Sequence, residues 1–217
     1  MTAKFTLAVI LAIAILIFLS PPPASAISAK KIIEKVEKRY DNLTDFRADF
    51  HQTVSIDSSD TAGYSASGTL WVKKPNKFRL ELEQQTSVSD GRTLWTYVPH
   101  NNQVLVDHAD TTGGAARPDQ LFLKYFKQAE AKLVGTEQVS GLDCYHLHLC
   151  PTGDGDISSL HVWVDKDTYL ARRLKITDAG GMVTDYRFTE VRMNPGLSDS
   201  IFIFQVPDGV EVIDMRW

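Results

Sequence analysis

Phe46-Arg47-Ala48-Asp49-Phe50-His51-Gln52-Thr53-Val54-Ser55-Ile56 repeats with a period of two: Phe46, Ala48, Phe50, Val54 and Ile56 share one face of an extended chain, and the odd positions are polar. A strand of this kind buries one face and wets the other. Upstream the period changes. From Ser28 to Leu43, the residues Ile32, Ile33, Val36, Tyr40 and Leu43 recur at spacings of three and four with Lys and Glu between them, which predicts an amphipathic helix capped by Ser28. Downstream, alternating runs fill the chain between turn residues: 66–73 before Pro75-Asn76, 78–84, 86–89 before Asp90-Gly91, 92–98, 104–108 after Asn101-Asn102, 132–139, 144–149, 160–165, 169–177, 183–191 and 201–206. About eleven strands, with turn signals every ~8–12 residues and no linker, predict one antiparallel barrel or sandwich. The segment from Thr111 to Ala131 interrupts the pattern. There Gly113-Gly114 and Pro118-Asp119 precede Leu121, Phe122, Tyr125 and Phe126, paired at four-residue spacing as in a short second helix. The expected fold is mainly β with flanking helices, an incomplete antiparallel β-barrel whose mouth the α-helices close.

Composition bounds the function. The chain has 217 residues, 43% hydrophobic and 23% charged, which is ordinary for a globular protein and excludes a disordered, collagenous or polytopic membrane chain. Lys4, the uncharged run from Phe5 to Leu19, three prolines and Ala24-Ser25-Ala26 follow the order of a secretory signal peptide. Fifteen apolar residues fall short of the ~20 that span a bilayer. Residues 1–26 are therefore expected to be cleaved, leaving a single domain over 27–217 in a bacterial periplasm. No cysteine follows the apolar run, so no acylated N-terminus is expected. Without Lys4 the balance is 22 Lys and Arg against 27 Asp and Glu, which argues against nucleic acid as a partner.

Signatures of catalysis are missing: no H-E-x-x-H, G-x-S-x-G, phosphate loop or C-x-x-C occurs. Gly153-Asp154-Gly155-Asp156 reads as a hairpin loop and Asp165-Lys166-Asp167 as a strand-end turn, because the Gly and distal Glu of a calcium loop are absent. Asn42-Leu43-Thr44 matches a glycosylation sequon that a bacterial protein leaves idle. The strand Cys144-Tyr145-His146-Leu147-His148-Leu149-Cys150 places both cysteines and both histidines on one face, where His146 and His148, with His161 from the next strand, form a candidate metal set. The cysteines lie about 20 Å apart on a straight strand at ~3.3 Å per residue, too far to share an ion or form a disulfide. A polar strand face is the better reading, and a metal-dependent hydrolase on these histidines the alternative.

Three segments bring in a resemblance. Gly68-Thr69-Leu70-Trp71-Val72-Lys73-Lys74-Pro75-Asn76-Lys77-Phe78 is similar to the G-x-L-W-V-K-[RK]-P-N-x-F strand and turn of the outer-membrane lipoprotein carrier family, LolA. Ser89-Asp90-Gly91-Arg92-Thr93-Leu94-Trp95-Thr96-Tyr97 resembles its S-D-G-x-x-L-W-x-Y hairpin, and 46–52 its F-x-A-x-F-x-Q strand; Pro207-Asp208-Gly209-Val210 also fits. The resemblance implies a non-enzymatic periplasmic chaperone, with no cofactor, metal or catalytic residue and expected as a monomer. Its cargo would be acylated lipoproteins, taken from an inner-membrane ABC release complex of the LolCDE kind and delivered to a LolB-like outer-membrane receptor. Phe50, Leu70, Phe78, Leu80, Leu82 and Trp95 are then the candidate lining of the lipid cavity, with Phe78 exposed at its rim. Lys74, Pro75, Leu121, Phe122 and Tyr125 are the candidate lid and latch. The family usually carries Arg where this chain has Lys74, and Lys offers a point charge in place of a planar fork. That departure keeps open a paralogue that carries another lipid. A lipid-sensing regulator on the same barrel would need a further domain, for which 27–217 leaves no room.

Overall fold

Ser28 opens helix α1 (Ala29–Asp41) as expected, its side chain accepting a hydrogen bond from the Lys31 amide at 3.3 Å. At the other end the Asn42 side chain donates to the Lys38 carbonyl at 2.8 Å and closes the last turn. The computed structural model describes residues 27–56, 63–109, 129–151 and 157–216. The expected leader 1–26, the loop 153–156 and the expected second helix with Leu121, Phe122 and Tyr125 lie outside the described residues.

Twelve strands follow α1: β1 (Asp45–Ile56), β2 (Tyr64–Lys73), β3 (Lys77–Leu82), β4 (Gln85–Ser89), β5 (Thr93–Val98), β6 (Gln103–His108), β7 (Ala129–Val139), β8 (Leu142–Pro151), β9 (Ile157–Asp165), β10 (Ala171–Asp178), β11 (Met182–Met193) and β12 (Glu211–Asp214). They form one sheet in the order β12-β6-β5-β4-β3-β2-β1-β11-β10-β9-β8-β7. Every neighbouring pair is antiparallel except β12 on β6. The sheet curves but stays open between β7 and β12, so the incomplete barrel holds, with twelve strands where about eleven were expected.

The strand expected at 201–206 is absent. A turn of 3₁₀ helix (Asp199–Phe202) stands there, and the true last strand begins at Glu211. Alternation misleads at this point because Phe202 is buried and Phe204 stacks on Trp95 at 6.2 Å, so the segment hides its aromatic rings without pairing to a ladder.

Register settles the faces. Phe46 pairs with Val72, Val72 with Phe78, Phe78 with Ser89 and Ser89 with Leu94; Ala48 runs likewise through Leu70 and Leu80 to Ser87. Paired residues point to one side, here called the inner face. On it Phe50, Leu70, Val72, Phe78 and Leu94 form one buried cluster. The second cluster places Ile32 and Val36 of α1 on Leu147, Leu149, Leu160, Val162, Val164 and Leu174 of β8, β9 and β10. Tyr186 and Phe188 of β11 border both. Gly68 is required where Phe50 crosses it: a Cβ there would lie 2.4 Å from the Glu81 carbonyl oxygen and 2.9 Å from the Phe50 ring.

Candidate functional site

The inner face gathers five of the six residues expected to line a lipid cavity. Phe50, Leu70 and Phe78 are buried together, with Leu80 and Leu82 half-buried against them. Trp95 is separated from them. It pairs with Val88 and Val106 on the outer face, where Phe204 covers it. Phe78 is also not the exposed rim residue expected from its place at a strand end: it is 2% exposed, because Val72 and Ser89 flank it on both sides. The expectation omitted Tyr186 and Phe188, which stack on each other at 6.3 Å and bracket Phe50 at 6.0 and 6.4 Å. Their alternation within 183–191 was visible in the sequence; that β11 lies beside β1 was not. Burial pushes the Tyr186 phenol above its ordinary pKa, keeping this wall uncharged.

Two spaces open along this face. Beneath the C-terminal end of α1, Tyr40, Leu43, Phe46, Leu70, Leu174 and Phe188 are among the residues enclosing an apolar cavity of about 40 Å³, room for only a few waters. At the opposite end of the strands, Tyr64, Leu82, Gln85 and Val98 help line a wider cleft of about 660 Å³.

Lys74 touches the helix directly. Its ammonium donates to the carbonyl oxygens of Tyr40 at 3.0 Å and Asp41 at 2.9 Å at the end of α1, where the Tyr40 carbonyl also accepts from the Leu43 amide at 3.2 Å. A cation at this position also meets the negative end of the helix dipole. Pro75 follows in the turn that aims Lys74 across the rim.

The histidines occupy the outer face of β8 and β9. His146 Nδ1 lies 2.8 Å from Glu137 Oε1, and its Nε2 2.8 Å from His161 Nδ1. A carboxylate only accepts, so a neutral His146 donates to Glu137 and receives its second hydrogen bond from His161. The two ring centroids are 5.0 Å apart, which sets these nitrogens head-on. A tetrahedral ion bound at ~2.0–2.1 Å to each would need them about 3.3 Å apart. His148 pairs instead with Ser159 at 3.1 Å and stacks on His161 at 4.5 Å. Among the described residues no three His, Cys, Asp or Glu side chains converge as ligands for a metal. Burial, helped by His148 and His146, pushes the His161 pKa down to about 4. Hydrogen bonding by Trp163 and His146 keeps Glu137 below the ordinary carboxylate range. His146, 8% exposed and stacked on Trp163, is therefore less open to solvent than a polar strand face would be. Cys144 and Cys150 are both free, and burial pushes the Cys144 thiol up to about 11. Asp165 forms the expected strand-end turn, accepting from the amides of Asp167 and Thr168 and from Arg172.

Fold and site together define a class of protein, an open β half-barrel that keeps an apolar surface under a helix tied down at one end. The chain belongs to the family "Outer membrane lipoprotein carrier protein LolA", whose model matches residues 41–205. It is 32% identical over 177 residues to an outer-membrane lipoprotein carrier protein of Hahella chejuensis, covering 79% of this chain and 83% of that protein. With the carrier of Chromohalobacter salexigens it shares 28% over 184 residues, 83% of this chain and 85% of the other. Two solved structures share the fold: an uncharacterized conserved protein of Thermus thermophilus (TM-score 0.57, 15% identity, covering 86% of this chain and 98% of that one) and lipoprotein LppX of Mycobacterium tuberculosis (TM-score 0.51, 12% identity, covering 77% and 95%).

Proposed function

We propose that this periplasmic protein shelters the acyl chains of lipoproteins on the inner face of β1, β2, β3 and β11, taking them from an inner-membrane ABC release complex and passing them to an outer-membrane receptor. One observation carries the reading: a continuous apolar wall on the inner face, including Phe50, Leu70, Phe78 and Phe188, runs up to the C-terminal end of α1, whose last carbonyls Lys74 holds. The space of about 40 Å³ at the end of α1 is far too small for an acyl chain, so on this reading α1 moves aside for cargo to enter there. The need for a carrier is physical. Each buried CH₂ is worth ~0.8 kcal/mol, so an acylated protein does not leave a membrane for water unaided.

The test is displacement of a hydrophobic dye from the mature protein by a triacylated lipopeptide, the same peptide without acyl chains, and a phospholipid. Displacement by the acylated peptide alone is expected. Equal displacement by the unacylated peptide would refute the proposal, and preference for the phospholipid would assign another lipid as cargo.

A further inference from the structure

The junction between α1 and β1 is held from both flanking strands, by the residue that follows β2 and the residue that follows β11. The Lys74 amide donates to the Thr44 carbonyl at 2.8 Å from the β2–β3 turn. From the other side the Asn194 side-chain oxygen accepts from the Thr44 amide at 2.9 Å, the Thr44 hydroxyl at 3.1 Å and, at the limit of hydrogen bonding, the Asp45 amide at 3.5 Å. The Asn194 amide donates to the Asp45 carbonyl at 2.8 Å, and the Gly196 amide to the Asp45 carboxylate, 6% exposed, at 3.1 Å. Asn194 takes φ +50°, a left-handed conformation that Asn tolerates better than most residues.

The chain that continues from Asn194 is itself fastened to the outer face. Lys73 donates to the Leu197 carbonyl at 2.8 Å and pairs with Asp199 at 2.7 Å; Lys77 pairs with the same carboxylate at 3.2 Å. Arg79 reaches the Ile201 carbonyl at 3.3 Å. Lys73 and Lys74 are adjacent, so one turn grips the C-terminal segment on one side and α1 on the other. Among the described residues α1 joins the sheet only through Asn42–Thr44, and any lifting of the helix must bend the chain there.

We infer that Asn194 is a positioning residue, the hinge pin of the lid, and that the segment from Asn194 to Phe202 couples the outer face to the opening of α1. The inference deepens the carrier proposal, in which α1 is the lid. Its consequence is a route for regulation: a partner that pulls this segment off β2 and β3 frees Thr44 and Asp45 and loosens α1 without touching the cavity.

Hydrogen exchange on the ligand-free protein tests it. Asn194→Gly accepts φ +50° but lacks the amide, whereas Asn194→Asp keeps an acceptor oxygen. In Asn194→Gly the amides of α1 should exchange at least about tenfold faster while those of β8, β9 and β10 keep their protection, and Asn194→Asp should restore the wild-type rate. Lys73→Met, which leaves Asn194 in place and frees only the C-terminal segment, should raise α1 exchange by a smaller factor. Unchanged α1 exchange in either Asn194→Gly or Lys73→Met overturns the coupling, as does a rise shared equally by β8, β9 and β10. Should Asn194→Gly fail to fold, Lys73→Met alone decides. No cargo is needed, so loosening of α1 in a protein that binds no acylated peptide would reject the carrier proposal and keep the hinge.

Discussion

Replacing Lys74 by Leu removes the two ammonium hydrogen bonds to the end of α1 and leaves the Leu43 amide on the Tyr40 carbonyl. The lost contacts are ammonium to carbonyl, at 3.0 and 2.9 Å, a type worth ~1.5–3 kcal/mol each where water is excluded. Here Lys74 and Asp41 are exposed, so the freed carbonyls regain water and the loss falls to about 1–2 kcal/mol in total, of which ~0.3–1 is the interaction of a cation with the helix dipole. A change of that size moves the ratio of open to closed lid by a factor of roughly 5–30. Only the closed, empty form feels it, so the variant should accumulate as the loaded form and deliver cargo poorly. Lys74→Arg should shift the other way, since a planar fork reaches both carbonyls with less ordering. The measurement is the ratio of loaded to empty carrier in the periplasm at matched expression, with the association rate of an acylated peptide in vitro beside it. If neither changes in Lys74→Leu, Lys74 is a solvated turn residue and the latch lies elsewhere.

Gly68→Ala should lower Tm by several degrees, a loss of ~1–3 kcal/mol from overpacking, because the added Cβ meets the Glu81 carbonyl oxygen at 2.4 Å. Adding Leu82→Ala should not restore stability, since the nearest obstruction is backbone; a full rescue in the melting curve would place the clash in the Leu82 side chain instead. His161 stays neutral in the fold down to about 4 while the unfolded chain takes up its proton near 6.5, so stability should fall as pH drops through that window. His161→Phe, which keeps the stack on His148 without a titrating group, should flatten the denaturation midpoint against pH there; an unaltered slope would mean another group sets it.

The faces of β1, β2 and β3 were legible from alternation because their outer side is polar apart from Trp71, and the resemblance pointed to Lys74, whose ammonium reaches the carbonyls at the end of α1. Trp95 could not be placed the same way. In β4, β5 and β6 both sides carry large apolar residues, Leu94 inward and Val88, Trp95, Val104 and Val106 outward, because Phe204 and the C-terminal segment cover the outer side. Alternation loses its meaning where both faces are buried. Phe78 looked exposed because strand ends usually are, and only the register with Val72 and Ser89 shows it covered. For the histidines the shared face was right, but their burial depends on Trp163 from the neighbouring strand. Asn194 gave no signal, since its partners Thr44 and Asp45 lie about 150 residues away in the chain.

On the proposed function, the helix-covered part of the inner face would let a carrier hold its cargo and still release it. A chain of a dozen buried CH₂ groups is worth roughly 10 kcal/mol, enough to make release slow if the cavity were open and empty beforehand. In this protein α1 already covers the neighbouring part of the inner face, on β8, β9 and β10. Ile32 and Val36 are fully buried against β8, β9 and β10, and freeing such side chains costs about 1.5–3 kcal/mol each. On that reading the Lys74 contacts and the hydrogen bonds at Thr44 and Asp45 would add to what loading must displace. On the proposed function, cargo that displaces α1 would bind with only the difference between burying its own chains and uncovering the helix. On the proposed function the helix would return to β8, β9 and β10 on release and recover that free energy, so re-covering by α1 would favour handover.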